Sequence, residues 1–425
     1  MQFKKTKLAT AVGTAALAMS LGGPANAVVV GGDGGWEVSF TGTINLFYNQ
    51  IDFEFTTSGL PGPQEDSAHL NEGLLPAFFT FKAVSPTVNG LTGTAQISFA
   101  PDSSNSKHTR NDKGGSAIDM REVFFNVDGS FGTISAGRTL GLFQRQAILK
   151  DQTLFGVGAF AIPDQGGTTL GRIGYGYIYP EFRTRFAYKT PNINGFQLEV
   201  GVFDPQEGIG ATSFAFETDT PQFQAEATYN TTFQGGTFGL WAGGYWQEQE
   251  FQSGVSDDVT SWGWNVGADI GFGGFNVVGS YYDGEALGLD FKNVTSGPGS
   301  VGLFGVVGPA GLGNGGFLCN ATGTCDEADN DGFYVQGSYT FGGKTKVAIS
   351  YGESNQDSEV NPATGNTFNE VEHEMWTVGV YHDVTSWLKV VAEYNDADQE
   401  ADTPAGARVD GLEADGFSVG GFIFW

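Results

Sequence analysis

The sequence predicts an all-β protein, a transmembrane antiparallel β-barrel of sixteen strands. Three observations carry this prediction. The chain is rich in residues that suit strands and turns, with 66 Gly, 36 Phe, 14 Tyr and 8 Trp. Apolar and polar residues alternate in many segments of about ten residues, as they do in strands with one lipid-facing side. The segments are separated in turn by short and long connections, which is typical of an even-stranded barrel with tight turns at one rim.

The N-terminal segment predicts export from the cytoplasm. Three lysines within the first seven residues precede a small and apolar stretch, and the tripeptide Ala-Asn-Ala that ends at Ala27 matches a signal-peptidase site. We therefore expect a signal peptide over residues 1–27 and a barrel over residues 28–425. The formal net charge of −28 makes nucleic acid an unexpected partner. No later apolar run approaches the roughly 18 residues that suggest a membrane-spanning helix.

The first predicted strand shows the alternation most clearly. Between residues 36 and 49 the apolar side chains share one parity, the polar side chains lie between them, and only Phe47 breaks the pattern. The predicted strands cover residues 36–49, 77–84, 91–99, 119–127, 132–138, 182–190, 196–203, 221–229, 237–247, 260–271, 275–283, 332–341, 344–353, 373–382, 387–395 and 416–425.

The connections between these strands alternate between seven short turns and eight long polar loops. We expect short periplasmic turns and long extracellular loops, the latter at residues 50–76, 100–118, 139–181, 204–220, 248–259, 284–331, 354–372 and 396–415. A soluble β-sandwich also alternates, but it buries its apolar faces in a core. Sixteen strands with an apolar and a polar face are better explained by lipid outside and water inside, because closure leaves no unpaired edge in the bilayer.

Three local features can also be interpreted. Phe417, Val419, Gly421, Ile423 and Trp425 of the last predicted strand share one parity, which predicts a lipid-facing side; the alternative is a hydrophobic terminus docked in a soluble core. Cys319 and Cys325 lie six positions apart in an exported chain, so a local disulfide is expected, with two free thiols as the alternative. The acidic residues between 326 and 331 suit a solvated loop or, less well, a calcium site, because an EF-hand spacing is missing.

Several motifs resemble the sixteen-stranded trimeric porins of the Gram-negative outer membrane. Residues 121–138, REVFFNVDGSFGTISAGR, look like the fourth and fifth strands of that family. Residues 162–168, IPDQGGT, are similar to the tip of its third loop, and residues 170–172 and 188–203 resemble the segments that follow. The resemblance implies that the loop at residues 139–181 folds into the lumen and narrows it.

The resemblance also implies residue roles and partners. Acidic residues on the third loop face basic residues on the wall in that family; the corresponding positions here are Asp164 and Asp151 on the loop and Arg121, Arg138, Arg172, Arg183 and Arg185 on the wall. An insertion after Arg172 leaves open whether Arg172 or Arg183 lines the constriction. The terminal aromatic strand resembles the insertion signal read by the barrel assembly machinery, with Phe417, Val419, Ile423 and Trp425 on one parity. A homotrimer in contact with outer-membrane lipid and lipopolysaccharide is the implied assembly.

The polar parity of the strands predicts the charges of the lumen. Arg183, Arg185 and Lys189 share that parity in one strand, opposite aromatic residues. The predicted lumen charges are Glu37, Lys82, Lys189, Glu199, Glu226, Asp269, Lys346, Lys389 and Glu393. Because a sixteen-stranded barrel leaves an aqueous channel, we expect passive diffusion of small hydrophilic solutes and ions, with a mild cation preference from the acidic mouth.

Other functions are less well supported by the sequence. A substrate-specific channel would use inward aromatic residues such as Trp241, Tyr245, Tyr282 and Tyr334, although these could equally pack under loops or at the trimer side. A structural or adhesin-like surface barrel would close its lumen and work through its long loops. No catalytic residue, metal or cofactor is expected, because the four histidines have no metal-ligand spacing.

Overall fold

The structure is a computed structural model that describes most of the region predicted to be the barrel. The described residues are 28–29, 33–57, 60–101, 103, 118–159, 168–205, 216–217, 219–251, 259–287, 317–319, 325–357, 370–402 and 408–425. The predicted signal peptide and the loop residue Asp164 lie outside them. Within the described residues, no helix is both long and apolar enough to cross a membrane.

Sixteen antiparallel strands form a closed barrel, which confirms the predicted fold class. The strands are β1 (Glu37–Thr57), β2a (Leu60–Asn71) continued by β2b (Phe78–Val84), β3 (Thr92–Pro101), β4 (Ile118–Gly129), β5 (Gly132–Leu140), β6 (Phe182–Lys189), β7 (Phe196–Phe203), β8 (Gln222–Phe233), β9 (Gly236–Phe251), β10 (Val259–Phe272), β11 (Phe275–Glu285), β12 (Asp329–Phe341), β13 (Thr345–Asp357), β14 (Glu370–Asp383), β15 (Leu388–Asp402) and β16 (Arg408–Phe424).

The two ends of the chain close the barrel. Strand β16 pairs with β1 in one continuous register, from Phe424 opposite Thr43 to Leu412 opposite Phe55. On the other side of β1, β2a pairs with the second half of β1 and β2b with the first half of β1. The two segments together therefore act as one strand of the barrel. With β2a and β2b counted as one strand, every described strand of the barrel is therefore paired on both sides along at least part of its length, and the sheet closes on itself.

The strand faces have the polarity that the alternation predicted. Ile44 and Tyr48 are 46% and 44% exposed on the outside of β1, whereas Asn45 and Asn49 between them are 1% exposed. The apolar residues of the other strands are likewise the exposed ones, including Phe81, Ile97, Phe125, Phe186, Val202, Leu240, Ile270, Val335, Ile349, Val378 and Val419. The outer wall of the barrel is thus apolar and suits a hydrocarbon surrounding.

The prediction of a loop at residues 50–76 is wrong for most of this range. Strand β1 continues to Thr57 and pairs with β2a, with Asp52 opposite Asp66. The outward positions in this part of β1 are polar, so the apolar alternation ends although the backbone pairing continues. The same cause shortened the predicted strands at 387–395 and 416–425, because β15 and β16 extend to Asp402 and from Arg408 with carboxylates on their outer faces.

The connections separate into two rims. Seven turns lie at one end of the barrel, which we call the short-turn rim; Gly342 and Gly343, with φ of 55° and 68°, make one of them, in a conformation that glycine adopts without strain. The other connections start and end at the opposite end of the barrel, which we call the long-loop rim. The connection between β11 and β12 contains a two-stranded hairpin, Phe317–Cys319 with Cys325–Glu327.

The lumen is not water-filled throughout, which corrects the expectation of a wholly wet interior. The connection between β5 and β6 lies inside the barrel and contains one short helix, α1 (Arg145–Lys150). Apolar residues of this connection, such as Ile148 and Tyr177, form a buried cluster with inward side chains of the wall, such as Phe47 and Phe422. Phe47 broke the predicted alternation because it belongs to this internal core.

Candidate functional site

The two ends of the β5–β6 loop are hydrogen-bonded to each other where the loop enters the lumen. The backbone N–H of Gly141 donates to the carbonyl oxygens of Pro180 and Glu181 at 3.1 and 2.7 Å, so the two ends of the loop are joined. A Cβ at Gly141 would lie 2.2 Å from the Pro180 oxygen, so this crossing requires a glycine. The loop therefore starts and ends at one point of the wall.

The start of α1 is attached to the neighbouring strands. The N–H groups of Leu142 and Phe143 donate to Oε1 of Gln224 on β8 at 2.7 and 2.9 Å. Gln144 follows in a left-handed conformation with φ of 63°, and its N–H points to Oδ1 of Asn265 on β10 at 3.4 Å. This reversal directs α1 along the wall and fixes the position of Arg145.

Arg145 bridges two buried carboxylates of the wall. Its Nη2 lies 2.7 Å from Oε2 of Glu199 on β7, and its Nε lies 3.1 Å from Oε2 of Glu226 on β8. Glu199 also pairs with Nη2 of Arg185 on β6 at 3.0 Å. Burial by itself would lower the pKa of Arg145, but the attraction of Glu199 and Glu226 outweighs burial and raises this pKa above its ordinary value. Arg145 therefore stays charged in the lumen.

A second cation of the loop also faces a wall carboxylate. Nζ of Lys150, at the end of α1, lies 2.6 Å from Oδ1 of Asp269 on β10. The loop thus supplies cations and the wall supplies the carboxylates that face them. This polarity is the reverse of the one implied by the resemblance, in which acidic loop residues face basic wall residues.

Asp151 has a different environment from the one the resemblance implied. It is 5% exposed and accepts hydrogen bonds from the N–H of Thr153 at 2.8 Å, Nε2 of Gln336 at 2.7 Å and the hydroxyl of Tyr177 at 3.1 Å. Its carboxylate therefore ties the loop to itself and to β12. It lies inside the lumen, as the sequence predicted for the loop.

The far side of the loop is fixed to β14 and β15. The guanidinium of Arg172, which is 0% exposed, donates to the carbonyl oxygen of Met375 at 3.2 Å and to Oγ1 of Thr377 at 3.3 Å. Burial lowers the pKa of Arg172. On β15, Oε2 of Glu393 accepts the N–H groups of Val157 and Gly158 at 2.6 and 3.2 Å. Arg172 is thus an anchor of the loop.

A cavity of about 170 Å³ remains between α1 and the opposite wall. Its charged lining consists of Glu122, Arg145, Arg185, Lys189 and Glu226, from the loop and strands β4, β6 and β8. Serine, threonine, asparagine and glutamine side chains complete much of its surface. We call this space the throat.

All nine predicted lumen charges lie on inward-facing parities: Glu37, Lys82, Lys189, Glu199, Glu226, Asp269, Lys346, Lys389 and Glu393. Of the two arginines on β6, Arg185 lines the throat, whereas Arg183 pairs with Glu181 at 3.0 Å and donates to the carbonyl oxygen of Asp204 at 2.9 Å near the long-loop rim. Neither Arg172 nor Arg183 contributes to the throat lining.

Two arginines that the resemblance placed on the lumen wall lie elsewhere. Arg138 is exposed and sits opposite Val123 and Thr184, both of which face outward, so its side chain cannot reach the lumen from β5. Arg121 has no opposite residue on β3, because the β3–β4 register shifts there; its side chain pairs with the exposed Asp119 at 3.0 Å and donates to the hydroxyl of Tyr179, at the base of the β5–β6 loop, at 3.4 Å. The motif matched the hairpin, but the parity of each strand decides where its side chains point.

Sequence reasoning missed Arg145, Lys150 and Glu122. The two loop cations are invisible to a parity argument because α1 is not a strand. The scarcity of basic residues, 20 Lys and Arg in 425 residues, was the signal that could have singled them out. Glu122 is buried and accepts from Gln96, Ser98 and Thr139. It falls in the middle of a predicted strand, on its inward parity.

The inward aromatic residues pack under the loop. Tyr334 contacts Tyr177 edge to face at 5.9 Å between ring centroids, and its hydroxyl donates to the carbonyl oxygen of Ala147 at 2.8 Å. Trp241, Tyr245 and Tyr282 are also buried in clusters that include loop residues. Of the alternatives left open for these side chains, packing under loops is therefore the observed one.

The remaining predicted sites fall at the ends of the chain and in the hairpin. Phe417, Val419 and Ile423 are half-exposed on the outer wall, and the ring of Trp425 packs against Phe40 at 5.8 Å between centroids. The two cysteines are directly opposite each other in the register of the hairpin, a spacing that a disulfide can bridge, but their side chains lie outside those described. The disulfide stays a prediction.

Comparisons with known proteins agree with this architecture. Three solved structures similar to this chain are the outer membrane channel DcaP of Acinetobacter baumannii (14% identity, 93% of this chain and 99% of that one, TM-score 0.62), an anion-selective porin from Comamonas acidovorans (13%, 92% and 100%, 0.58) and OmpT of Vibrio cholerae in a trimer form (16%, 92% and 100%, 0.51). At these identities the likeness concerns the fold. No curated protein matches the chain.

The family comparison extends over most of the sequence. The model of the Gram-negative porin family matches residues 11–402. Together with the closed sixteen-stranded barrel and its apolar outer wall, this match places the protein in the outer membrane as a channel-forming barrel. The chain belongs to the Gram-negative porin family.

Proposed function

We propose that this porin passes small hydrophilic solutes and ions by passive diffusion through the throat. The observation that carries the proposal is the unequal filling of the lumen. The β5–β6 loop packs against one side with an apolar core, whereas polar and charged side chains line the space on the other side. Water and hydrated solutes prefer the polar side, because leaving water for an apolar surface costs free energy.

Graded uptake tests this proposal. Liposomes that contain the protein are diluted into isotonic sugars of increasing size, and the rate of swelling is measured. A diffusion channel gives rates that fall steeply with solute size. An absence of size-dependent uptake would instead support the second candidate, a structural surface barrel with a closed lumen, which the packed core inside the barrel favours.

We also propose a mild cation preference that arises at the mouth of the channel. Most of the throat cations contact carboxylates, so the throat is nearly compensated, whereas the chain as a whole carries a net charge of −28. An acidic mouth concentrates cations when the salt is dilute, and this effect weakens as the Debye length shortens to about 3 Å at 1 M. Reversal potentials in a salt gradient should therefore show a cation preference that declines at high salt. A clear preference for anions at low salt would refute it.

The assembly that the sequence suggested remains part of the proposal. We expect a homotrimer embedded in outer-membrane lipid and lipopolysaccharide, inserted by the barrel assembly machinery through its aromatic terminal strand. Outward aromatic residues at the seam of the barrel, including Phe40, Phe81 and Trp425, give a broad apolar surface that suits a neighbouring barrel or lipid. Mass measurement of the detergent-solubilised protein by light scattering distinguishes a trimer from a monomer.

A further inference from the structure

We infer that Arg145 is the residue that determines ion selectivity in the throat. This inference rests on the proposed diffusion function and deepens it, because it names the side chain by which the throat discriminates between cations and anions. Arg145 belongs to the loop and not to the wall, and neither the motifs nor the strand parity pointed to it.

The ion pairs around Arg145 are unequal. Glu199 contacts two arginines, Arg145 at 2.7 Å and Arg185 at 3.0 Å. Among the ion pairs of the described residues, Glu226 contacts Arg145 alone, and its other described side-chain contact is the neutral amide of Gln146 at 3.2 Å. Removal of Arg145 therefore leaves Glu226 without a cation in contact, whereas Glu199 keeps one.

The charge balance of the throat depends on this one side chain. Arg145, Arg185 and Lys189 stand against three carboxylates, those of Glu122 and Glu226 in the lining and that of Glu199 behind it. Three cations compensate three anions, so neither sign of mobile ion is strongly favoured. Without Arg145 the throat carries one net negative charge, and the low-dielectric wall around it strengthens the field of that charge.

Arg145 cannot move aside easily, because the chain before it is fixed. The N–H groups of Leu142 and Phe143 are bound to Gln224, and the left-handed Gln144 turns the chain into α1. The guanidinium is buried against the wall, in contact with both of its carboxylate partners, Glu199 and Glu226. The compensating charge is thus part of the rigid loop and is present whenever the loop is docked.

The test is the ratio of potassium to chloride permeability, measured from reversal potentials in planar bilayers. One unit charge acts on an ion about 4 Å away with an energy equivalent to roughly a fivefold bias in water. Because the charge attracts a cation and repels an anion equally, we expect Arg145→Gln to raise the cation-over-anion ratio by up to roughly 25-fold. We expect Glu226→Gln to lower the ratio, because it leaves Arg145 in excess, and the double variant Arg145→Gln with Glu226→Gln to return close to the wild-type ratio.

Arg138→Gln is the matched control, because it removes the same charge from the outer wall. It should leave the ratio unchanged. A purely structural role of Arg145 predicts that the double variant is no closer to wild type than Arg145→Gln, and that result would overturn the inference. Equal ratios for wild type and Arg145→Gln would overturn it as well. If Arg145→Gln fails to fold, Glu226→Gln still decides by the direction of its shift. Wild-type protein without any conductance would refute the proposed function, and the inference with it; a conducting wild type with unshifted variants refutes the inference alone.

Discussion

The attachment of the β5–β6 loop to β15 can be tested by removing one carboxylate. Glu393 is buried, and its Oε2 accepts the N–H groups of Val157 and Gly158 at 2.6 and 3.2 Å. Its Oε1 accepts the hydroxyl of Tyr381. The substitution Glu393→Ala deletes all of these acceptors and leaves the two backbone donors buried without a partner.

The expected size of the effect follows from those two donors. An unsatisfied buried hydrogen-bonding group costs about 1–3 kcal/mol, so two of them weaken the docking of the loop by about 2–6 kcal/mol. Water that enters the space of the deleted side chain brings the effect toward the lower value. Even about 2 kcal/mol raises the population of undocked loop by roughly 30-fold, since each 1.4 kcal/mol is a factor of ten.

Single-channel recording detects the undocked loop. A loop that leaves its site moves across the passage, so we expect Glu393→Ala to show frequent brief closures that the wild-type channel lacks. Glu37→Ala is the matched control, because it removes an inward carboxylate that is exposed near the short-turn rim. Gly156→Ala gives an independent perturbation without a change of charge, since its Cβ would lie 1.7 Å from Oε1 of Glu393. If both Glu393→Ala and Gly156→Ala close as rarely as Glu37→Ala, the loop is not held by this contact and the reasoning is refuted.

Three further predictions concern the loop, the seam and the hairpin. Burial raises the pKa of Tyr175, Tyr177 and Tyr179 in the loop above the ordinary 10.0. Their contribution to loop docking is therefore complete below about pH 10 and is lost as the pH rises through the raised values. Alkaline absorbance titration should show at least three tyrosines that ionise late, and ordinary titration of all 14 would contradict this. A Cβ at Gly42 would lie 2.2 Å from the ring of Trp425, so Gly42→Val should displace this ring and its aromatic contacts, which are worth about 0.5–1.5 kcal/mol each. We expect a lower yield of heat-resistant folded barrel in gel-shift assays. An unchanged yield would show that the barrel tolerates displacement of the ring. The two cysteines should resist maleimide labelling in unfolded protein until a reductant is added, and labelling without reductant would show free thiols.

The sequence predicted the barrel well where its wall meets hydrocarbon. Alternation in β1 is visible at Ile44 and Tyr48 because lipid selects apolar side chains at every second position. Beyond Asp52 the same strand carries polar residues outside, and the pattern that would reveal it disappears. Strand ends were therefore misplaced wherever the wall extends past the hydrocarbon, as they were for the first long loop.

The candidate site was predictable in part. Parity put Glu199, Glu226 and Arg185 on the inner wall, because the period of a strand alone decides which face a side chain occupies. It could not place Arg145, which lies on a helical turn inside a long loop. Resemblance put basic residues at Arg121 and Arg138, yet a register shift places Arg121 against Tyr179 at the base of the loop, and an outward parity takes Arg138 away from the lumen.

The sequence by itself determined a closed β-barrel with an apolar outside, a charged inside and a long third loop, because each of these depends on local periodicity or on the length of a connection. Only the tertiary structure decided that the loop packs against part of the wall with an apolar core, that two of its cations face wall carboxylates, and that a polar cavity lies beside α1. Those features depend on which surfaces of the loop dock against which strands. The contacts that decide them, such as Arg145 with Glu226 and Val157 with Glu393, join positions 81 and 236 residues apart and leave no repeating pattern in the sequence.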